Sequence, residues 1–457
     1  MVRKRIPTFF YPIAAFALTI LVGTLLLKQG FSHPGKSLGW IDALFTATSA
    51  TCVTGLAVVD TGSFFSRTGQ SVILGLIQIG GLGLMTYTSL VLYLWKRRIA
   101  FDDREAVSQT LLHNPRFSLG IFLKRVVLAC IILEASGAVI LYALDPQGFS
   151  PYSAVFHSVS AFCNAGFSLY SDSLTKWSGN WGVNAIFMVL IVAGGLGFIV
   201  LLELLERLTG TPLRGSKSLL GIQNKISWHS CIVLRMSFWL IAGGALAILL
   251  GEFLLRPENT QYALGDELLS SLFQSVTCRT AGFNTMDIGG MANVSLLVMI
   301  FLMFVGGAPG SCAGGIKVTT LRAALAFAGS RLKGRKQSVI TNYALDEGSV
   351  NSALTLIFFA GCIVVAATLI LCISETGAVP HDQTRGQFLE LLFEAVSAFG
   401  TVGLSTGITP ELTTTGKLTL TVLMFVGRLG PIIFLQVLQD LHRHEKFLWS
   451  EKRLAIG

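Results

Sequence analysis

Four times along this chain a short apolar stretch, too brief to cross a bilayer, ends at a glycine followed by Leu or Phe. The stretches lie near residues 40–55, 152–166, 266–282 and 387–403, and their glycines are Gly55, Gly166, Gly282 and Gly403. These glycines are separated by 111, 116 and 121 residues. A Phe stands ten positions earlier in three copies (Phe45, Phe156, Phe393) and nine earlier in the third (Phe273). About 25 residues after each glycine a second glycine signal follows: Gly80-Gly81-Leu82-Gly83, Gly194-Gly195-Leu196-Gly197, Gly306-Gly307 and Gly427-Arg428-Leu429-Gly430. Self-similarity at this period defines the fold before any single element does.

The surroundings of the repeats are membrane-like. Of 457 residues, 52% are hydrophobic and 13% charged, and the mean hydropathy is +0.66. Soluble chains carry roughly 25% charged residues, so a soluble enzyme, a secreted disulfide scaffold and a disordered chain are excluded. A bilayer core of ~30 Å asks for about 20 apolar residues per helix. Eight segments satisfy this, at approximately 9–28, 70–95, 121–143, 183–205, 229–254, 294–328, 353–374 and 416–438. The four short stretches read as re-entrant. The expected fold is an all-α polytopic membrane protein. It has four parallel helix–re-entrant loop–helix repeats (1–100, 101–220, 221–345, 346–457), hence eight transmembrane spans, around a pseudo-fourfold pore.

Eight spans put both termini on one side. Of the 34 Lys and Arg, only Lys28, Lys36, Arg67, Lys176, Arg256, Arg385 and Lys417 fall on the opposite loops. Arg279, Lys317 and Arg428 lie within the membrane pattern, and the other 24 share the side of the termini. The positive-inside rule makes that side cytoplasmic. It also accounts for the net charge of +9 without nucleic acid. The stretch after Arg3-Lys4-Arg5 reads as a span rather than a cleavable signal. The eight cysteines show no metal-ligand spacing, and most lie in apolar or glycine-rich stretches where a reduced thiol acts as a small hydrophobe. No nucleophile–base pair lies at membrane depth, so no enzymatic activity is expected.

Re-entrant loops that meet on an axis can ring a dehydrated cation with backbone carbonyls. Glycine permits the positive φ that turns carbonyls inward without a Cβ clash. Short helices ending at the loops point negative dipole ends at the axis. For Gly55, Gly166, Gly282 and Gly403 this filter reading outweighs simple helix packing, because they end segments too short to span. For Gly80, Gly194, Gly306 and Gly427 close packing is the better reading.

On these stretches the sequence resembles the Trk/Ktr/HKT superfamily of potassium uptake proteins, and most closely the membrane subunit of the bacterial Ktr system. The carrying residues are Thr46-Ala47-Thr48-Ser49-Ala50, Val53-Thr54-Gly55-Leu56, Val58-Val59-Asp60-Thr61-Gly62, Gln78-Ile79-Gly80-Gly81-Leu82-Gly83, Asn164-Ala165-Gly166-Phe167, Arg279-Thr280-Ala281-Gly282-Phe283-Asn284 and Gly400-Thr401-Val402-Gly403-Leu404. The resemblance implies K⁺ uptake in a bacterial cell membrane through one central pore per subunit. It implies a filter of Cys52, Val53, Thr54, Gly55, Cys163, Asn164, Ala165, Gly166, Arg279, Thr280, Ala281, Gly282, Gly400, Thr401, Val402 and Gly403, with K⁺ on their backbone carbonyls. It further implies a homodimer on a cytosolic nucleotide-binding ring, with the nucleotide on that partner only, no covalent cofactor, and Na⁺ as an activator. All four filter glycines match potassium-selective members; some sodium-favouring relatives have serine in the first loop. Gly306-Gly307-Ala308-Pro309-Gly310-Ser311-Cys312 departs from the Ser/Thr-rich, proline-free loop usual in Ktr proteins.

Residues 306–315 hold Gly306, Gly307, Gly310, Gly314, Gly315 and Pro309. A continuous helix there would cost on the order of 8 kcal/mol relative to alanine, so a broken helix is expected. Arg428 takes the place of Gly81, Gly195 and Gly307 and needs buried acceptors at mid-membrane. The expectation is a gate below the filter: the loop obstructs the cavity, Arg428 bonds it when closed, and Lys317 sits near its cytoplasmic end. A purely structural brace is the competing reading of Arg428.

Other charges have plainer readings. Arg279 is expected behind the filter, donating to loop carbonyls. Glu394 either attracts cations or makes a structural hydrogen bond. Glu134 and Glu203 would be relay candidates in a proton-coupled transporter, and Glu203 is better read as the partner of a basic residue. His442-Arg443-His444-Glu445 is a solvated tail, and Gly310–Lys317 lacks phosphate-loop spacing. The rival function is an alternating-access Na⁺- or H⁺-coupled transporter, which usually carries inverted repeats; these repeats keep one orientation.

Overall fold

The computed structural model describes residues 10–82, 119–209, 226–255, 264–377, 379–380 and 382–430. The end of the expected span 70–95, the basic loop that follows it, part of the 206–228 loop, the end of the span 416–438, Arg3-Lys4-Arg5 and His442–Glu445 lie outside the described residues.

Each repeat contributes a long apolar helix, a short helix and a second apolar helix. In the first these are α1 (Phe10–Lys28), α2 (Trp40–Thr51) and α4 (Arg67–Gly81), with the single turn α3 (Thr61–Phe64) between the last two. The second repeat has α5 (Leu119–Leu144), α6 (Pro151–Phe162), α7 (Trp181–Gly195) and α8 (Phe198–Thr209). The third has α9 (Trp228–Leu255), α10 (Leu264–Thr277), α11 (Asn293–Phe304) and α12 (Val318–Leu332). A small hairpin, β1 (Val339–Ile340) with β2 (Tyr343–Ala344), leads to α13 (Glu347–Leu371), α14 (Gln387–Gly400) and α15 (Thr414–Leu429). Three helices within the described residues are long and apolar enough to cross a membrane: Phe122–Leu144, Trp228–Phe253 and Glu347–Thr376.

The second short helix begins where a polar residue caps it. Ser150 accepts from the Ser153 amide, with Pro151 at the first helical position, where a missing N–H costs nothing. In the first, second and fourth repeats the short helix packs between the two apolar helices of its own repeat, and in the third it packs on the first of them, α9. Each short helix is also packed by the second helix of a neighbour: α4 on α6, α7 on α10, α11 on α14 and α15 on α2. The contacts therefore close on themselves. Phe45, Phe156, Phe273 and Phe393 are fully buried at one equivalent position of each short helix, which is why the sequence keeps a Phe there.

Among the described residues two second helices are broken. The third repeat interrupts its helix between Phe304 and Val318, as its glycines and proline require. The second repeat corrects the expected continuous span 183–205: α7 and α8 meet at 117° across Leu196 and Gly197. Gly197 has φ +85, and a Cβ there would meet the Pro309 carbonyl oxygen at 2.7 Å. The break exists because the two interruptions bond each other. Ala308 N donates to Gly195 O (2.9 Å), Cys312 N to Gly194 O (3.2 Å), and Phe198 N to Gly310 O (3.0 Å). Backbone groups freed by one bend satisfy those freed by the other, the condition for irregular backbone at membrane depth.

Candidate functional site: four glycine loops and a pinned intramembrane loop

Behind each short helix the chain enters an unusual backbone conformation. Gly55, Gly166, Gly282 and Gly403 have φ of +95, +70, +80 and +91. Two residues earlier, Val53, Asn164, Thr280 and Thr401 are left-handed as well, at +57, +59, +77 and +51. Three of these four are β-branched, for which positive φ is a genuine outlier. Strain of about 1–3 kcal/mol per residue persists only where surrounding structure holds it, and such residues gather at functional sites. Alternating left-handed residues (53 and 55) with one that is not left-handed (54) turns successive carbonyls toward the same side.

The glycines form a closed ring. A Cβ added at Gly55 would meet Ala165 O at 2.5 Å, and one at Gly166 would meet Ala281 O at 2.8 Å. At Gly282 it would overlap Val402 O, and at Gly403 it would overlap Thr54 O, returning to the first loop. Each missing side chain is thus replaced by the next loop's carbonyl, from the residue just before that loop's glycine. All four sequence-predicted loops are brought together here, with Cys52, Val53, Thr54, Cys163, Asn164, Ala165, Thr280, Ala281, Thr401 and Val402 buried among them.

A recurring hydroxyl sets this geometry, and the sequence reading overlooked it. Ser49 Oγ donates to Leu56 O (2.7 Å), Ser160 Oγ to Phe167 O (2.8 Å) and Thr277 Oγ1 to Phe283 O (2.7 Å). In the fourth loop Ser397 Oγ accepts from Gly403 N (3.1 Å), as Ser49 Oγ accepts from Gly55 N (3.1 Å). The residue before each glycine donates its amide to the carbonyl of that same hydroxyl residue, at 2.7–2.9 Å. The signal was legible: a Ser or Thr six positions before the glycine, five in the third repeat, which is one residue short there for Phe273 too.

One position after the recurring Phe, His157 and Glu394 brace the second and fourth loops. His157 Nδ1 donates to Ser153 O (2.8 Å), leaving Nε2 to accept from Ser168 Oγ (3.1 Å) and Leu169 N (3.3 Å). Glu394 accepts from Ser405 Oγ and from Thr409 Oγ1 (2.9 Å). Glu134 lies behind the second loop, accepting from Gln78 Nε2 (3.1 Å) and Cys163 Sγ (3.7 Å). Glu203 forms no ion pair with a Lys or Arg among the described residues. Its carboxylate caps α9 through Ser227 N (2.7 Å), Ser227 Oγ (2.9 Å) and Ser230 Oγ (2.5 Å).

Below the ring, Gly80, Gly194 and Gly427 pack identically. A Cβ at any of them would overlap the carbonyl of the last or penultimate residue of its own short helix: Thr51, Phe162 or Phe399. Gly306 departs, facing Gly314 O across the loop. Three cations converge on that loop. Arg428, buried, donates to Cys312 O and Gly80 O and so ties the fourth repeat to the third and first. Arg279 Nη2 donates to Gly306 O (3.0 Å), away from the ring. Lys317 Nζ donates to Ala313 O (2.5 Å). Of the loop's other glycines, Gly310 and Gly315 have positive φ, +69 and +62, and Gly307 O accepts from Val318 N (3.1 Å). All eight cysteines are free thiols.

A helical membrane protein whose four loops close a carbonyl ring belongs to the class that carries ions. The chain matches the TrkH cation transport protein family over residues 6–442. It is 40% identical to Ktr system potassium uptake protein B of Bacillus subtilis, over 92% of this chain and 90% of that one. It is 34% identical to potassium/sodium uptake protein NtpJ of Enterococcus hirae, over 100% and 98%. The crystal structure of the potassium transporter TrkH from Vibrio parahaemolyticus shares the fold, with a TM-score of 0.72 and 19% identity over 96% of this chain and 85% of that one. The chain belongs to the TrkH family of cation transport proteins, the Trk/Ktr group its sequence resembles, and is a transporter rather than an enzyme.

Proposed function

We propose that this chain takes up K⁺ into bacterial cells through a central pore, with eight spans in four repeats and both termini cytoplasmic. The observation that carries the reading is the closed ring in which each of Gly55, Gly166, Gly282 and Gly403 faces the next loop's carbonyl. The carbonyls of residues 52–55, 163–166, 279–282 and 400–403 replace the ion's water shell, while the ends of α2, α6, α10 and α14 add negative dipole. K⁺ is cargo; no resident cofactor enters the scheme.

The loop 306–315 is the gate, held closed by Arg428 and, at its cytoplasmic end, by Lys317. Control comes from a separate cytosolic nucleotide-binding ring under a homodimer, a reading supported by the likeness to Ktr system proteins and by the expectation of no domain-sized cytoplasmic segment. Na⁺ acts as an activator. Ion-flux competition in vesicles tests the filter. Gly55→Ser places a Cβ against Ala165 O at φ +95, so the K⁺/Na⁺ preference falls; an unchanged preference refutes the filter assignment. Transport faster than alternating access permits separates the pore from a stoichiometric Na⁺-coupled exchanger.

A further inference from the structure

We propose that a small monovalent anion, chloride in ordinary media, binds beside Arg279. Arg279 is 7% exposed, and a guanidinium carries five N–H donors. Nη2 reaches Gly306 O at 3.0 Å, whereas Nη1 is buried with no partner. Among the described residues no carboxylate pairs with it. Arg428 and Lys317 each find carbonyls in the loop; Arg279 alone of the three keeps an idle, fully buried nitrogen.

A cavity of about 20 Å³ lies beside Arg279, between the two helix breaks, lined also by Ser237, Ile241, Val276, Gly195 and Gly307. One water-sized occupant needs roughly 10–15 Å³ by this measure, so a single atom fits and gluconate or sulfate does not. Water would accept from Nη1 but leave the buried charge unpaired. A halide accepts from Nη1 and the Ser237 hydroxyl and cancels the charge as well. This matters because Arg279 is joined directly to Thr280-Ala281-Gly282 of the carbonyl ring. On the pore reading above, an unpaired cation there opposes K⁺ in the ring, and the anion removes that opposition.

Crystals of the full chain prepared with bromide in place of chloride test the site through anomalous scattering. The expected result is one peak within hydrogen-bond distance of Arg279 that vanishes in Ser237→Leu, whose side chain fills the cavity. In vesicles, replacing halide by gluconate lowers rubidium-tracer uptake several-fold in the unmodified chain and leaves Ser237→Leu insensitive. Water in place of bromide, or measurable uptake that is equal in halide and gluconate, overturns the proposal. Bromide at Arg279 in a chain that passes no rubidium in any medium would instead overturn the transport reading and leave the site standing.

Discussion

The glycine ring and the glycine level below it are built from the same repeat and have diverged in opposite ways. In the ring all four copies keep positive φ at the same two positions and the same contact to the next loop's carbonyl. Below it, three copies keep one packing contact, at Gly80, Gly194 and Gly427, while the third opens into the loop 305–317. Fourfold regularity suits a task every repeat shares, ringing one ion. An irregular lower level suits a task one element must do alone, such as obstructing the path. The asymmetric level also holds the buried cations, and Arg428 spans three repeats from the position that is glycine in the others.

The sharpest way to break this contrast is to return the lower level to symmetry. Deleting several of residues 306–315, or Arg428→Ala, removes the irregular element or its tether. Each hydrogen bond from a charged donor contributes about 1.5–3 kcal/mol. Losing the one that Arg428 makes to the loop, at Cys312 O, shifts a closed–open equilibrium by roughly tenfold or more. The expected outcome is higher K⁺ flux with weaker dependence on the cytosolic partner, read in vesicles with and without it. If both variants reach the membrane and conduct at the regulated rate, the lower level is a brace and not a gate.

A smaller effect sharpens the upper half of the comparison. Ser160→Ala removes the hydroxyl that fixes Phe167 O and leaves that buried acceptor without its donor, at a cost of about 1–3 kcal/mol. Thr277→Val does the same at Phe283 O. If the ring acts as one fourfold unit, the two variants lower thermal stability and K⁺/Na⁺ preference by similar amounts. A large difference between them would show that the loops are not equivalent.

What the sequence made legible follows the same division. The ring's loops were readable because their constraint is local: a segment too short to span, a Phe, a glycine. The third-repeat break was readable because Gly306, Gly307, Pro309, Gly310, Gly314 and Gly315 tax a helix wherever they sit. The second break was not. Gly194-Gly195-Leu196-Gly197 has the same glycine pattern as Gly80-Gly81-Leu82-Gly83, and glycine alone does not separate close packing from a bend. What decides for a bend is Phe198 N bonding Gly310 O and Ala308 N bonding Gly195 O, partners more than a hundred residues away. The serine partners of Glu203 were illegible for a related reason, since Ser227 and Ser230 stand at the start of a helix in the next repeat. Ser49, Ser160, Thr277 and Ser397 are local and periodic as well, at a nearly fixed distance before each glycine, and were legible on the same terms.

The smallest expected effect lies where the ring closes between the last repeat and the first. Lys417 on α15 pairs with Asp42 on α2 at 2.9 Å, with their side chains 16% and 29% exposed. This pair joins the ends of the chain's repeat series, yet partly exposed ion pairs contribute only about 0.2–1 kcal/mol. The same seam is also held by the packing of α15 on α2, by Gly403 against Thr54 O and by Arg428 on Gly80 O. Lys417→Ala therefore lowers stability by less than about 1 kcal/mol, and the deficit shrinks further as ionic strength rises. Asp42→Ala should match it, and the double variant should cost little more than either single one. Thermal unfolding in detergent at low and high salt measures all three. A loss several times larger, or one indifferent to salt, would mean that the seam between the fourth and first repeats depends on this pair and not on the backbone contacts that the other three seams share.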